Sequence, residues 1–188
     1  MTEAEWVTQM AGQIGPALRR RDKNLAIHTG LRLVYGHEIA SYDGSTTTPR
    51  SASWFTTDLA IVETGPGEVW LPRVVVEAKL AKVTTHDAIT YSAKAASHRA
   101  VHPYLRYGIM LGDRRHFPLP GRLYRHGAHF DFMMSFRRSR PSTTEIGDFV
   151  AILRSEVAAS RTLERILYES RRRDRDRYTV LHRRLEVK

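Results

Sequence analysis

Thr57-Asp58-Leu59-Ala60-Ile61-Val62-Glu63 and, beyond a turn at Gly65-Pro66-Gly67, Val74-Val75-Val76-Glu77-Ala78-Lys79-Leu80 decide how this chain is read. Both runs are short, apolar and rich in β-branched residues, which suit a pleated surface. The glycines and proline between them signal a turn, so the runs are expected to pair as a hairpin. That pairing brings Asp58 and Glu77 together although they lie 19 positions apart.

The residue types explain why that proximity matters. A hard divalent cation such as Mg²⁺ takes oxygen ligands, keeps several waters, and is usually held by one or two carboxylates plus phosphate oxygens. Asp58 and Glu77 are candidates for those carboxylates. Strand alternation points Glu77 and Lys79 to one face and Ala78 to the other, packed one. The Lys79 ammonium then reaches an attacking water or a phosphate oxygen, and the Ala78 backbone carbonyl is available as a further ligand.

Asp58 with Glu77-Ala78-Lys79 resembles the PD-(D/E)xK nuclease superfamily, closely in those residues and more loosely in the order of elements from about residue 3 to residue 136. The resemblance implies a restriction-endonuclease-like α/β fold and a catalytic centre of Asp58, Glu77 and Lys79. Metal ligands would be Asp58, Glu77 and the Ala78 carbonyl, with Mg²⁺ as cofactor and Mn²⁺ as a substitute. Thr57 stands where the superfamily's proline precedes the aspartate. Relatives often add an upstream glutamate, for which Glu38 and Glu5 are both candidates. Tyr91 and Lys94, on the helix after the ExK strand, are candidates for supporting the site.

Composition bounds the function. The chain has 188 residues, expected to form one nuclease-like domain over 1–188 with a helical part at about 142–188. Thirty Lys+Arg against twenty Asp+Glu give a formal charge of +10, which favours a polyanionic partner. Cysteine is absent, so disulfides and thiolate metal sites are excluded. No apolar run approaches the ~20 residues of a membrane span. The opening Met1-Thr2-Glu3-Ala4-Glu5-Trp6 lacks the basic-then-apolar pattern of a secretory signal, so a cytoplasmic protein is expected.

Along the chain, Trp6, Met10, Ile14 and Leu18 recur at helical spacing, with Gly15-Pro16 expected to kink or split that helix. Residues 31–41 read as a strand and 42–51 as a polar loop. Thr84-Thr85-His86-Asp87 marks a helix start, and the alanine-rich stretch runs to Val101, before Pro103. His98 and His102 stand at i, i+4, a spacing that can also serve a transition metal, without a third nitrogen ligand. Residues 106–111 and 129–136 read as further strands. Arg114, Arg115, Arg122, Arg125, Arg137, Arg138 and Arg140 are the best local candidates for DNA-backbone contacts. Ser142 with Glu145 suggests a capping box, followed by an apolar stripe through Ile146, Phe149, Leu153, Val157, Leu163 and Leu167 that packs on the sheet or on a second subunit. Residues 171–177 form a mixed-charge run. The sequence contains no GxGxxG or Walker loop.

Together these features imply a mixed sheet of four or five strands flanked by helices. The expected function is Mg²⁺-dependent hydrolysis of DNA phosphodiester bonds. The resemblance extends this to a type II restriction endonuclease acting on double-stranded DNA as a homodimer. Two alternatives remain: a structure-specific or repair nuclease with the same centre, and a non-catalytic basic nucleic-acid-binding protein.

Overall fold

The computed structural model describes residues 1–113 and 119–169. Arg114, Arg115 and the 171–177 run lie outside them.

The first helix, α1 (Glu3–Arg19), opens on a reciprocal capping box between Thr2 and Glu5. Its residues Trp6, Met10, Ile14 and Leu18 are all buried on one stripe. Gly15-Pro16 does not split the helix, which runs through Pro16. An interior proline costs roughly 3 kcal/mol. Core residues on both sides of it, Ile14 and Leu18, hold the helix in register against that cost, and Arg20 N–H still bonds Pro16 O at 3.1 Å.

A five-stranded sheet forms the centre, in the order β1 (Leu25–Thr29), β4 (Leu59–Thr64), β5 (Trp70–Leu80), β6 (Arg106–Gly112), β7 (Phe132–Ser135). The β4–β5 hairpin is antiparallel as the apolar runs predict, with Leu59 opposite Val76 and Ile61 opposite Val74. Beyond Ile61 the register shifts, so that Val62 meets Pro72 and Arg73 is the extra residue. β5, β6 and β7 run parallel. Helix α2 (Thr85–Val101), capped by Thr84 and Asp87 as expected, links β5 to β6. The short α3 (Gly121–His126), which the sequence did not suggest, precedes β7. Strand β7 is shorter than the 129–136 run, and β1 had been missed altogether.

The long α4 (Thr143–Glu169) begins at the expected Ser142–Glu145 box. It joins α1 on one face of the sheet, where Phe149, Leu153 and Val157 pack with Leu59, Ile61, Val74, Val76, Ala78 and Met110. Of the two partners considered for that stripe, the sheet takes these residues, while Leu167 is exposed. On the other face α2 and α3 pack over Ala60, Val75, Tyr107, Ile109 and Leu111. Contact between neighbouring strands is close at Gly108, where a Cβ would lie 2.4 Å from the Phe132 ring. An ion-pair clamp fixes α4 to the sheet: Arg161 bonds Asp22 and Glu63, and Arg73 bonds Glu63 and Glu164.

The stretch expected to be a strand and then a polar loop is a two-stranded ribbon, β2 (Arg32–Asp43) and β3 (Thr46–Thr56), separate from the main sheet. Asp43-Gly44, with Gly44 at φ 59°, makes the reversal, and the β-branched threonines after it return as a strand. At its root Leu33 enters the α2-side core and Tyr35 stacks on Phe55 at 3.9 Å.

Candidate active site

Pairing between β4 and β5 ends at Leu59 and Val76, so the next residues of β5 have no strand on that side. Their outward N–H groups are satisfied by carboxylates. Asp58, just before β4, accepts from Ala78 N–H at 2.8 Å, and Glu3, in the first turn of α1, accepts from Leu80 N–H at 3.2 Å. In a strand the N–H and C=O of one residue point the same way. The Ala78 carbonyl therefore faces the same opening, between the two carboxylates.

Glu77 and Lys79 leave β5 on the α2 side. Glu77 is 1% exposed and bonded to the Lys94 ammonium at 3.0 Å and to the Tyr107 hydroxyl. Burial raises its pKa from 4.5 to about 7. Lys94 and the Tyr107 hydrogen bond pull it down, and the nearby Asp58 charge pushes it up. Lys79 contacts Glu3 at 3.1 Å and Asp87 at 3.9 Å and lies 5.4 Å from the Tyr91 ring centre. Burial opposes its charge, but Tyr91 and Glu3 outweigh burial and hold its pKa above the ordinary value. Lys79 is thus a fixed cation at neutral pH, suited to donating hydrogen bonds and unsuited to accepting a proton.

Of the residues singled out in the sequence, Asp58 stands just before β4, Glu77 and Lys79 lie on β5, and the two support candidates stand beside them. Lys94 holds Glu77, and the Tyr91 ring lies between the lysines, 5.2 Å from Lys94. Of the two upstream acids considered, Glu38 is an exposed ribbon residue bonded to Ser51, and Glu5 is used in capping Thr2. The first-turn acid that contacts β5 is Glu3. Its helix was legible, but which first-turn acid meets β5 depends on how α1 docks. Tyr107 was also missed, because a tyrosine inside an apolar strand carries no mark of the carboxylate it will meet.

The histidine pair does not converge. His98 is buried with Nε2 on the Leu33 carbonyl, and His102 Nδ1 faces the His98 carbonyl. Burial lowers the His98 pKa to about 4, the Leu33 carbonyl opposing. Among the described residues no group of three or more His, Cys, Asp or Glu side chains is arranged to hold a metal.

Of the arginines, Arg137, Arg138 and Arg140 are exposed after β7, at the carboxyl ends of the parallel strands. Their loop is tied to the helix that carries Glu3, since Ser139 O accepts from Trp6 Nε1 at 2.9 Å. Arg122 and Arg125 sit apart on α3, whose Leu123 is buried in the α2-side core.

Fold and site define an α/β protein, a mixed sheet between helix layers with a carboxylate and lysine cluster where its central hairpin opens. No protein-family model matches the chain, and no curated protein is detectably similar to it. No helix among the described residues is long and apolar enough to cross a membrane.

Proposed function

We propose that the chain is a metal-dependent DNA nuclease of the PD-(D/E)xK kind, with a restriction-endonuclease-like sheet. The opening beside Ala78 carries the reading: Asp58 and a backbone carbonyl face it, the Glu77 carboxylate and Lys79 ammonium emerge from the same segment, and Glu3 borders it beyond Leu80. The donor set suits a hard, hydrated cation, because two carboxylates and a carbonyl suffice when water and phosphate fill the rest. Glu77 supports this further, since a buried carboxylate with a raised pKa beside a second carboxylate is stabilised in its charged form by a cation.

Asp58, Glu77 and the Ala78 carbonyl would hold Mg²⁺, or Mn²⁺ in its place. Such an ion polarises the phosphodiester and lowers the pKa of bound water. Lys79 orients the attacking water and offsets charge on the phosphate oxygens, and Glu3 keeps that ammonium directed at the opening. Lys94 and Tyr107 fix the Glu77 carboxylate. Arg137, Arg138 and Arg140 contact the DNA backbone at the same end of the sheet, where counterion release favours binding. The specific form proposed is a restriction endonuclease, a homodimer in which each centre cuts one strand of a palindromic site.

Incubating plasmid DNA with the purified chain and Mg²⁺, with and without chelator, tests the activity. Cleavage should require the metal and be abolished in Asp58→Ala and in Lys79→Ala, both of which should still retain DNA at low salt. Wild-type cleavage in either variant overturns the mechanism. Discrete fragments support restriction, whereas preference for branched oligonucleotides moves the reading to a structure-directed nuclease.

A further inference from the structure

We infer that the β2–β3 ribbon enters the major groove of duplex DNA and reads base edges there, an inference that rests on the nuclease reading for its partner. The ribbon is placed for this. Thr56, which ends β3, lies two residues before Asp58, and its carbonyl meets the Lys94 ammonium at 3.5 Å. Phe55 packs 5.5 Å from the same ammonium. Duplex engaged at the Asp58–Glu77 cluster therefore passes the root of the ribbon.

Its dimensions and surface fit the same partner. Residues 37–51 are exposed throughout. The seven residues from 37 to 43 extend about 20 Å at ~3.3 Å each. The major groove, about 12 Å wide, admits a two-stranded ribbon. Seven of these fifteen residues carry hydroxyls, which can donate to or accept from any base edge. Charged groups are few: Glu38 and Asp43 against Arg50, in a chain of formal charge +10. A backbone grip would need the opposite balance, so this surface suits the groove floor.

Two features count against a protein occupant. Ile39 and Tyr42 are the large apolar side chains exposed along the distal part, which makes no continuous apolar face. The register shifts three times between Val34 and Ser41, and such bulges disfavour adding another strand along that edge.

The test uses the full chain with a benzophenone amino acid at Tyr42 and a pool of duplexes with randomised centres, with Ca²⁺ replacing Mg²⁺. Irradiation should attach the label to DNA. Transfer to a second copy of the chain, or no transfer to duplex the protein retains, overturns the inference. In parallel, residues 39–49 are replaced by Asn-Gly, which removes no core residue and should leave the melting temperature unchanged. With Mg²⁺ this variant should still cut plasmid but lose the wild-type fragment pattern, its preference over singly mismatched duplexes falling about tenfold or more. An unchanged pattern overturns the inference. If the wild-type chain cuts no DNA, the nuclease reading fails, and the crosslink alone decides the ribbon's partner.

Discussion

The Lys94 ammonium lies 3.0 Å from the Glu77 carboxylate, joining α2 to the central strand at a point where the carboxylate is 1% exposed. Removing one partner of a buried pair leaves the other uncompensated, typically a loss of about 3–5 kcal/mol. Lys94→Met should therefore lower the melting temperature at pH 8, where Glu77 would be ionised. The loss should shrink at pH 5, where Glu77 is protonated. Equal losses at both pH values would show that Lys94 serves packing alone.

Glu77 and His98 should impose opposite pH dependences on the metal-free protein. Glu77, raised from 4.5 to about 7, costs stability as pH rises through that interval, and the full cost applies above pH 7. His98, lowered from 6.5 to about 4, contributes stability above pH 6.5 that is lost as pH falls toward 4. Each shift of roughly 2.5 units corresponds to about 3 kcal/mol. The two slopes largely cancel between pH 4.5 and 6.5. Denaturant titrations should show a loss toward acid in Glu77→Gln and a gain toward acid in His98→Gln. Identical pH profiles in the two variants would refute both assignments.

Asp58 both caps the Ala78 N–H and faces the proposed metal opening, so its two roles can be separated. Asp58→Asn keeps an acceptor and should cost only about 1 kcal/mol of stability. Mg²⁺-dependent cleavage should nevertheless fall by about 10²-fold or more, as expected when charge is removed from a preorganised centre. Cleavage close to wild type in a well-folded Asn variant would separate Asp58 from the chemistry.

Glu3 offers a further separation. Its side chain is 36% exposed, so loss of its ion pair with Lys79 should cost no more than about 1 kcal/mol. Glu3→Gln should melt near wild type but cleave more slowly, with added Mg²⁺ restoring part of the rate if the carboxylate assists the ion. A rate unchanged at every Mg²⁺ concentration would make Glu3 a structural cap for Leu80.

Gly108→Ala tests packing away from the chemistry. A Cβ there meets Phe132 at 2.4 Å, and relief of such overpacking typically costs about 1–3 kcal/mol. A thermal melt as stable as wild type would mean that Phe132 can move aside.

By itself the sequence determined what local patterns encode: the hairpin from 59 to 80, the apolar stripe of α1, the capped starts of α2 and α4, and the nearness of Asp58 to the Glu77–Lys79 segment. Strand alternation and turn chemistry act over a few residues, so they are written where they operate. Only tertiary structure brought Glu3 against β5, set Tyr107 against Glu77, and carried α1 through Pro16. Each of those depends on which helix docks against which strand, a contact between residues far apart in the chain. The ribbon lies between the two cases. Its first strand was legible at 31–41 and its Asp43-Gly44 turn was present to be read, but the hydrophilic, largely exposed return strand lacks the apolar alternation by which strands are usually recognised.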